Sequence, residues 1–354
     1  YYDNTIRPIL SPQIVDASHP FPHLVNKALY IAVRFKGKGK EKGERFGLIP
    51  VPDALPRVIH LPGNSTRYIL TERVILEYAE DVFSMYTVSD KTILSVTRNA
   101  DINPDDENFE VDDDYRRHMK RVLKKRARLA CVRLELAGEC SAELRDFFMR
   151  RLSLKKEQVF KSSTPLNMSY VYALSDKFTP AAKRQLSYLP FSPCPSRMVN
   201  RSESMIKQVL RQDLFLSYPY ESMEPFLQLV REAAHDPAVI SIKITIYRLA
   251  SKSRLVEYLS AAAENGKDVL VLMELRARFD EENNINWSEN LEDAGCKVIY
   301  GLEDFKVHSK ICLITRRDRG KIQYITQIGT GNYNEKTAKL YTDFCLMTAD
   351  SAIG

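Results

Sequence analysis

A single histidine between two lysines is the part of this sequence best suited to chemistry. The segment Phe305-Lys-Val-His-Ser-Lys-Ile-Cys-Leu-Ile314 has the pattern of an apolar strand. Successive side chains of a strand point to opposite faces, so Lys306, His308 and Lys310 would share one face. A neutral imidazole is abundant near pH 7, and its phosphorylated form stays reactive enough to pass the group onward. A core histidine is the alternative for a lone histidine, but the flanking lysines favour phosphoryl transfer, with His308 as nucleophile and Lys310 beside it.

A glycine-containing loop lies downstream of this segment. Gly329-Thr-Gly-Asn332 has neither the lysine spacing of a P-loop nor the third glycine of a dinucleotide fingerprint. It is either a nest of backbone amides that holds an anion, with Asn332 at the ligand, or a plain turn. Further on, Tyr341 and Asp343 are predicted to share a strand face. Asp343 would either orient the His308 imidazole as a third catalytic residue or pair with a nearby lysine.

Two predicted strands end in arginines. Arg248 closes Ile244-Thr-Ile-Tyr-Arg248, and the next strand runs into Glu274-Leu-Arg-Ala-Arg278. Ligands of open α/β sheets bind beyond the carboxyl ends of parallel strands, and the arginine fork suits phosphate oxygens. The two strand ends should therefore lie near the histidine segment, although the spacing leaves Arg276 and Arg278 as alternatives.

The elements that must position these residues form two predicted domains. A single core rarely serves 354 residues, and the Pro- and Ser-containing segment Leu189–Ser196 marks the boundary. Residues 1–190 have the mixed pattern of an α+β domain, and residues 191–354 alternate helix and strand as in an α/β domain with a mixed, largely parallel sheet. The predicted elements of the second domain are the helices Ser222–His235, Ser253–Asn265 and Glu281–Ala294 and the strands Val239–Tyr247, Val269–Leu275, Lys297–Tyr300, Lys306–Thr315, Gln323–Ile328 and Leu340–Thr348.

Composition narrows the class of protein further. No apolar run approaches the roughly 20 residues that span a bilayer, so a cytoplasmic protein is expected. The formal charge of +6 permits an anionic ligand. The basic helix predicted around Arg116–Arg128 has an apolar stripe opposite Arg117, Arg121 and Lys124. Its basic side is either a solvated or oligomer-contacting face, or a track for polyphosphate or nucleic acid.

Five blocks in a fixed order resemble bacterial polyphosphate kinases. They are Asp213-Leu-Phe-Leu-Ser-Tyr-Pro-Tyr-Glu221, Ile246-Tyr-Arg248, Ala277-Arg-Phe-Asp-Glu-Glu282, Lys306-Val-His-Ser-Lys310 and Gly329-Thr-Gly-Asn-Tyr-Asn-Glu-Lys-Thr-Ala-Lys-Leu-Tyr-Thr-Asp343. The resemblance covers essentially the whole chain and is strongest after about residue 200.

The resemblance implies an enzyme that transfers the terminal phosphate of ATP reversibly to inorganic polyphosphate through a phosphohistidine, with Mg²⁺. It implies His308 as the phosphorylated residue and Tyr341 as a nucleotide contact. Lys306 and Asn332 are predicted to bind the cofactor together with Tyr341. It also selects Arg248 and Arg278 for the metal site. Because arginine cannot ligate a cation, these two would hold the phosphate oxygens that magnesium bridges.

The resemblance further implies a head domain linked to dimerisation, followed by the first of two related carboxyl-terminal domains with a phospholipase D-like fold. We expect the protein to form a dimer or tetramer and to bind no specific nucleic acid. We also expect the full-length protein to associate peripherally with the inner membrane. The chain starts at Tyr1 rather than Met, so we expect a part of a longer protein. The resemblance implies two further domains, an amino-terminal one that contributes to the nucleotide site and a second carboxyl-terminal one with another functional histidine. We therefore expect these 354 residues to carry half an active site and to be inactive or nearly so by themselves.

Two other functions stay open at this stage. A phospholipase D-type phosphodiesterase would share the histidine and its lysine, but Thr315 stands where that signature has an aspartate. A non-catalytic polyanion-binding module would use only the basic helix and would bind polyphosphate and nucleic acid alike.

Overall fold

The computed structural model describes residues 1–16, 19–37, 45–63, 67–99, 115–126, 129–189, 191–275, 280–301 and 306–354. The chain divides into two compact units, which are described separately. The first contains the described residues of Tyr1–Asn103 and Arg121–Leu189, and the second contains those of Pro104–Lys120 and Pro190–Gly354. The domain limits of 1–190 and 191–354 remain sequence-based predictions.

The first unit contains a six-stranded sheet and a small hairpin. Its strands are β1 Gln13–Val15, β2 Leu29–Phe35, β3 Phe46–Pro50, β4 Val58–His60, β5 Tyr68–Leu70, β6 Val88–Arg98, β7 Cys131–Ala137 and β8 Val159–Ser162. The large sheet has the order β1-β3-β2-β6-β7-β8, and β4 pairs with β5. The pairings in the large sheet are antiparallel apart from the parallel β7–β8 pair.

Helices cover both faces of this sheet. The helices along this part of the sequence are α1 Thr71–Glu77, α2 Ala79–Val82, α3 Tyr115–Arg126, α4 Ala142–Leu152, α5 Val171–Leu174 and α6 Pro180–Leu186. Residues 115–120 of α3 belong to the second unit. On one face, Tyr30 and Ala32 of β2 pack in a cluster with Phe148 of α4. On the other, Ile31 of β2 packs in a cluster with Ile75 of α1. Burial on both faces explains why β2 is a continuous apolar run instead of an alternating one. The α+β character predicted for this part of the chain is confirmed.

The basic helix α3 uses its apolar stripe as the sequence predicts. Met119 and Val122 are fully buried, whereas Arg117, Arg121 and Lys124 are exposed. Within the second unit, Arg116 lies 2.6 Å from Glu292 and Lys120 lies 2.5 Å from Glu289. Part of the basic surface is therefore used in ion pairs with helix α10, which is defined below. Arg128, the last residue of the predicted helix, lies outside the described residues.

The second unit is built on a seven-stranded mixed sheet. Its strands are β9 Leu214–Tyr218, β10 Val239–Ile246, β11 Asp268–Met273, β12 Lys297–Tyr300, β13 Lys310–Asp318, β14 Lys321–Gly329 and β15 Asp343–Thr348, in the order β12-β11-β10-β13-β14-β15-β9. Strands β10, β11 and β12 are parallel, and the other pairings are antiparallel. The mixed α/β class is confirmed. The parallel part of the sheet is smaller than predicted, because β13 runs antiparallel to β10 and the pairings from β13 to β9 are antiparallel as well.

The helices of the second unit are α7 Met205–Arg211, α8 Glu224–His235, α9 Arg254–Glu264 and α10 Glu281–Asp293. Ile242, Ile244 and Ile246 of β10 are at most 2% exposed, and α8 packs against this strand. The alternate residues Ser241 and Lys243 are partly or fully exposed, so the helices protect one face of β10 more than the other. No helix among the described residues has the length and apolar character that crossing a membrane requires.

A carboxylate on α8 stabilises the start of α7. Glu232 accepts hydrogen bonds from the Ser204 hydroxyl at 2.6 Å and from the backbone amides of Met205 and Ile206 at 3.0 and 3.1 Å. The first amides of a helix have no intrahelical acceptor, and the helix dipole favours a negative charge at that end. Glu232 therefore ties α7 to α8 at the edge of the domain core.

Candidate functional site

The histidine segment precedes a strand instead of forming part of it. Strand β13 begins at Lys310, so the predicted strand Lys306–Thr315 starts four residues too early. The side chain of Thr245 on β10 explains the difference. Its Oγ1 donates to the Ser309 carbonyl at 2.8 Å and accepts from the Ile311 amide at 3.1 Å. These backbone groups bond to a side chain rather than to the neighbouring strand, and the β10–β13 pairing ends at Ile244–Cys312.

Two further contacts fix the segment around the exposed His308. The amide of the buried Val307 donates to Glu274 Oε2 at 2.8 Å. The Lys310 ammonium donates to the His308 carbonyl oxygen, and the Lys310 residue is only 5% exposed. Glu274 is 1% exposed and follows β11, so the segment is anchored to the ends of both β10 and β11. The backbone of the histidine is therefore held on both sides while its side chain stays accessible.

Three cations surround the His308 imidazole. The pKa of His308 is lowered from its ordinary value of 6.5, first by partial burial of the ring and then by Lys310, Arg248 and Lys306. Each cation disfavours protonation of the imidazole, because the imidazolium ion would be a further positive charge next to it. His308 is therefore neutral at pH 7, which is the nucleophilic form. Lys306, His308 and Lys310 do not share a strand face as predicted, but all are close enough to interact electrostatically.

Arg248 reaches the site from the turn after β10. Its Nε lies 2.8 Å from Asp280 Oδ2, immediately before α10. Helix α10 also holds the turn, because Asn284 Nδ2 donates to the Tyr247 carbonyl at 2.8 Å and to the Glu274 carbonyl at 2.9 Å. Asn284 is fully buried, so the ends of β10 and β11 are tied to one fixed amide. Arg278 and its alternative Arg276 lie outside the described residues.

The glycine loop is a turn shaped by close contact with β15. A Cβ on Gly331 would lie 2.7 Å from Asp343 Cγ, and one on Gly329 would lie 2.8 Å from the side-chain nitrogen Nε2 of Gln327. The amide of Thr330 donates to the Phe344 carbonyl at 3.0 Å. The turn thus requires glycine for space. Among the described residues, none hydrogen-bonds to the buried Asn332 Oδ1, which leaves one acceptor for a ligand.

Asp343 lies on the lysine side of the site. Its Oδ1 accepts from the Thr330 hydroxyl at 2.8 Å, and its charge opposes the lowering of the Lys310 pKa by burial. Within the described parts of the chain, no residue hydrogen-bonds to the nitrogens of the His308 imidazole. The geometry favours pairing with the lysine over orientation of the imidazole, and a catalytic role of Asp343 remains a prediction.

Tyr341 is exposed and precedes its predicted strand. The residue is 62% exposed, and its backbone amide donates to the Thr337 carbonyl at 2.9 Å. Because β15 starts only at Asp343, the two residues do not share a strand face. The exposed ring is available for stacking, but its role as a nucleotide contact remains a prediction.

The sequence interpretation missed Thr245, Tyr247, Glu274 and Asn284. Thr245 lies on the less buried side of β10 together with Ser241 and Lys243, which is an ordinary position for a polar residue, so its two backbone partners left no sign in the sequence. Glu274 directly follows an apolar strand, and a carboxylate at that position is the one feature of the sequence that could have indicated its role. The partner of each residue lies far away along the chain, so the sequence alone does not reveal the contacts.

The donor set of this site is cationic. Among the described residues, no group of three or more His, Cys, Asp or Glu side chains has the arrangement of a metal site. Lysine and arginine have no free lone pair for a cation. These side chains fit the phosphate oxygens of a metal–phosphate complex and not the metal itself.

Comparisons with known proteins agree on one family. Residues 1–174 match the polyphosphate kinase middle domain, and residues 204–354 match polyphosphate kinase C-terminal domain 1. A polyphosphate kinase of Bacillus cereus is 40% identical and one of Pseudomonas aeruginosa is 37% identical, each over 100% of this chain and 51% of the relative. The crystal structure of polyphosphate kinase from Porphyromonas gingivalis aligns with a TM-score of 0.76 at 29% identity, over 100% of this chain and 51% of that chain.

This chain belongs to the polyphosphate kinase family, as the resemblance of its motifs implies. It spans about half the length of the curated relatives that it matches, 51% in the two cases above.

Proposed function

We propose that this chain carries the phosphohistidine half of a polyphosphate kinase centre, which moves the terminal phosphate of ATP reversibly to inorganic polyphosphate. The observation that carries the proposal is an accessible histidine with Lys310, Arg248 and Lys306 around it, whose pKa is lowered first by partial burial of the ring and then by these three cations. Family membership supports the same reaction. A neutral nucleophile among fixed cations suits attack on a phosphorus atom that is surrounded by negative oxygens.

In the forward direction, the unprotonated nitrogen of His308 attacks the γ-phosphorus of ATP. The bond to the bridging oxygen breaks, ADP leaves with that oxygen, and the phosphoryl group is bonded to the imidazole. A terminal oxygen of polyphosphate then attacks the same phosphorus, the phosphorus–nitrogen bond breaks, and His308 is restored. Lys306, Lys310 and Arg248 would stabilise the oxygen charges in both steps, because positioning and electrostatic stabilisation dominate phosphoryl transfer.

Other residues would bind the nucleotide and the phosphate chain. The exposed Tyr341 ring would contact the nucleotide, and the unpartnered Asn332 Oδ1 would accept from a ligand donor. Arg278 would join Arg248 at the phosphates, as the resemblance implies. Magnesium would be coordinated mainly by phosphate oxygens and water, its usual ligands in nucleotide sites, and would neutralise charge on the transferring group.

We also propose that these 354 residues alone do not complete the reaction. The matched relatives are about twice as long, with 51% of their length covered. A cytoplasmic location, a dimer or tetramer and a peripheral membrane association are further parts of the proposal. Size-exclusion chromatography with light scattering and a vesicle flotation assay would test the last two.

Labelling with ATP that carries radioactive γ-phosphate tests the central claim. We expect an acid-labile, alkali-stable phosphoprotein in the full-length protein and its loss in His308→Ala, since only an imidazole at this position forms the intermediate. Arg317→Ala, which removes an arginine at the opposite end of β13, is a matched control and should keep the label. Undiminished labelling of His308→Ala would contradict the assignment. ATP-dependent polyphosphate synthesis by the 354 residues alone would contradict the claim of incompleteness.

A further inference from the structure

The ring of Tyr247 contacts three groups of the candidate site at once. Its centroid lies 4.6 Å from that of the His308 ring, with an angle of 85° between the planes. The Lys310 Nζ lies 5.6 Å from the same centroid, and the Arg248 Cζ lies 5.5 Å from it. These are the distances of a T-shaped ring pair and of two cation–π contacts. Tyr247 is therefore the common neighbour of the histidine and two of its cations.

The backbone fixes where this ring stands. Tyr247 follows β10 directly, and its carbonyl accepts from the buried Asn284 amide at 2.8 Å. Among the described residues, none hydrogen-bonds to the phenol oxygen of Tyr247. The ring, rather than the hydroxyl, therefore makes the contacts at the site.

The imidazole needs an orienting partner. A histidine nucleophile is ordinarily held by a hydrogen bond to its second nitrogen. In the described part of the chain, no residue makes such a bond to His308, and Asp343 bonds to Thr330 instead. The perpendicular Tyr247 ring, with its centroid 4.6 Å from that of the imidazole, is placed to restrict rotation of the imidazole.

We propose that Tyr247 is a positioning residue for phosphoryl transfer, whose aromatic ring orients the His308 imidazole and holds Lys310 and Arg248 beside it. The catalytic meaning of this inference rests on the proposed function. The geometric part, an oriented and partly shielded His308, stands without it.

Two substitutions separate the ring from the hydroxyl. Tyr247→Phe keeps every contact named above, and Tyr247→Leu removes the aromatic ring. Phe160→Leu is the matched control, because it removes another ring that lies under an arginine, at 4.2 Å from Arg133 in the first unit. Tyr247→Met serves as a second ring-free variant if Tyr247→Leu does not fold.

The first measurement is an NMR pH titration of His308 in histidine-labelled protein, with His308→Gln to identify its signal. We expect Tyr247→Phe and Phe160→Leu to keep the lowered pKa of His308. Removing the ring should move this pKa upward, towards the ordinary value of 6.5, because solvent then reaches the imidazole.

The second measurement is the rate of phosphohistidine formation at saturating ATP in the full-length protein. A misplaced reacting group can cost on the order of 100-fold in rate, so we expect about that loss in Tyr247→Leu and less than about 3-fold in Tyr247→Phe. An unchanged pKa and an unchanged rate in the ring-free variants would overturn the inference. If the wild type forms no phosphohistidine while the NMR shift is seen, the proposed function fails and the positioning stands.

Discussion

Replacing Thr245 by valine tests how the histidine segment is held in place. Valine has nearly the same shape and also branches at Cβ, so strand packing and strand propensity are preserved. The change removes only the hydroxyl, which bonds to the Ser309 carbonyl at 2.8 Å and the Ile311 amide at 3.1 Å. We expect β13 to keep its pairing from Cys312 onward and the residues before it to loosen.

The magnitude follows from these two hydrogen bonds. Each contributes about 1 kcal/mol net, and water can partly replace them because Thr245 is only half-buried. The free energy of unfolding should therefore fall by about 1 to 2 kcal/mol. Thr245→Ser is the matched control, since it keeps the hydroxyl and loses the branch.

Urea denaturation gives the stability, and phosphohistidine formation in the full-length protein gives the effect on the site. We expect the valine variant to be slower by about 10-fold because His308 is no longer fixed, whereas the serine variant should stay close to the wild type. A valine variant as active as the serine variant would refute the idea that Thr245 positions His308. Equal stability of all three proteins would refute the hydrogen-bond estimate.

Three further predictions concern the charge of the site and its supports. Because the folded-state pKa of His308 is below its ordinary 6.5, the unfolded chain binds this proton first, and stability should fall as the pH drops below 6.5. Urea denaturation at about pH 7.5 and about pH 5.5 measures the fall in the free energy of unfolding between the two pH values. This fall should be smaller in His308→Gln than in the wild type, and identical falls would contradict the lowered pKa of His308. Glu232→Ala should cost about 2 kcal/mol of unfolding free energy and Glu232→Gln less, because the charged carboxylate caps α7; equal losses would exclude the charge effect. Asn284→Ala should cost about 2 to 3 kcal/mol and slow phosphorylation, since two carbonyls lose a buried donor. Asn283→Ala, which loses one hydrogen bond of 3.3 Å to the Leu249 carbonyl, should lower the free energy of unfolding less. The reverse order in urea denaturation would exclude the idea that Asn284 holds the ends of β10 and β11.

Much of the second unit could be predicted from periodicity. The helix predicted at Glu281–Ala294 is observed as Glu281–Asp293, and the strand Lys297–Tyr300 is observed with the same limits. Strand β9 was not assigned, although Leu214 and Leu216 alternate with less buried residues. Its partner is β15, at the other end of the domain sequence, and such a distant pairing leaves no local signal. The limits of an element are harder still, because the start of β13 depends on a threonine 64 residues away from Ser309.

The residue types of the site were predictable, but its geometry was not. The spacing predicted Lys306, His308 and Lys310 on one strand face. The charges of both lysines do act on the imidazole, but Lys306 and His308 precede the strand instead of sharing a face with Lys310. Lys310 is buried at the first residue of the strand, while Lys306 and His308 stay exposed before it. Lys306 and Lys310 are neighbours of His308 in the chain, and the end of β10 brings Arg248 and Tyr247 to the same place.

This arrangement explains why β13 begins at Lys310. If β13 began at Lys306, its backbone would be bonded to neighbouring strands, and the histidine would be restricted to one face of the sheet. The β10–β13 pairing ends at Cys312 and the β13–β14 pairing at Lys310, which frees the residues before Lys310 to turn towards the end of β10. The cost is backbone groups without strand partners, and Thr245 and Glu274 offset it by bonding to Ser309, Ile311 and Val307. The side chains that replace the ladder are therefore the same ones that hold the nucleophile at the end of the sheet.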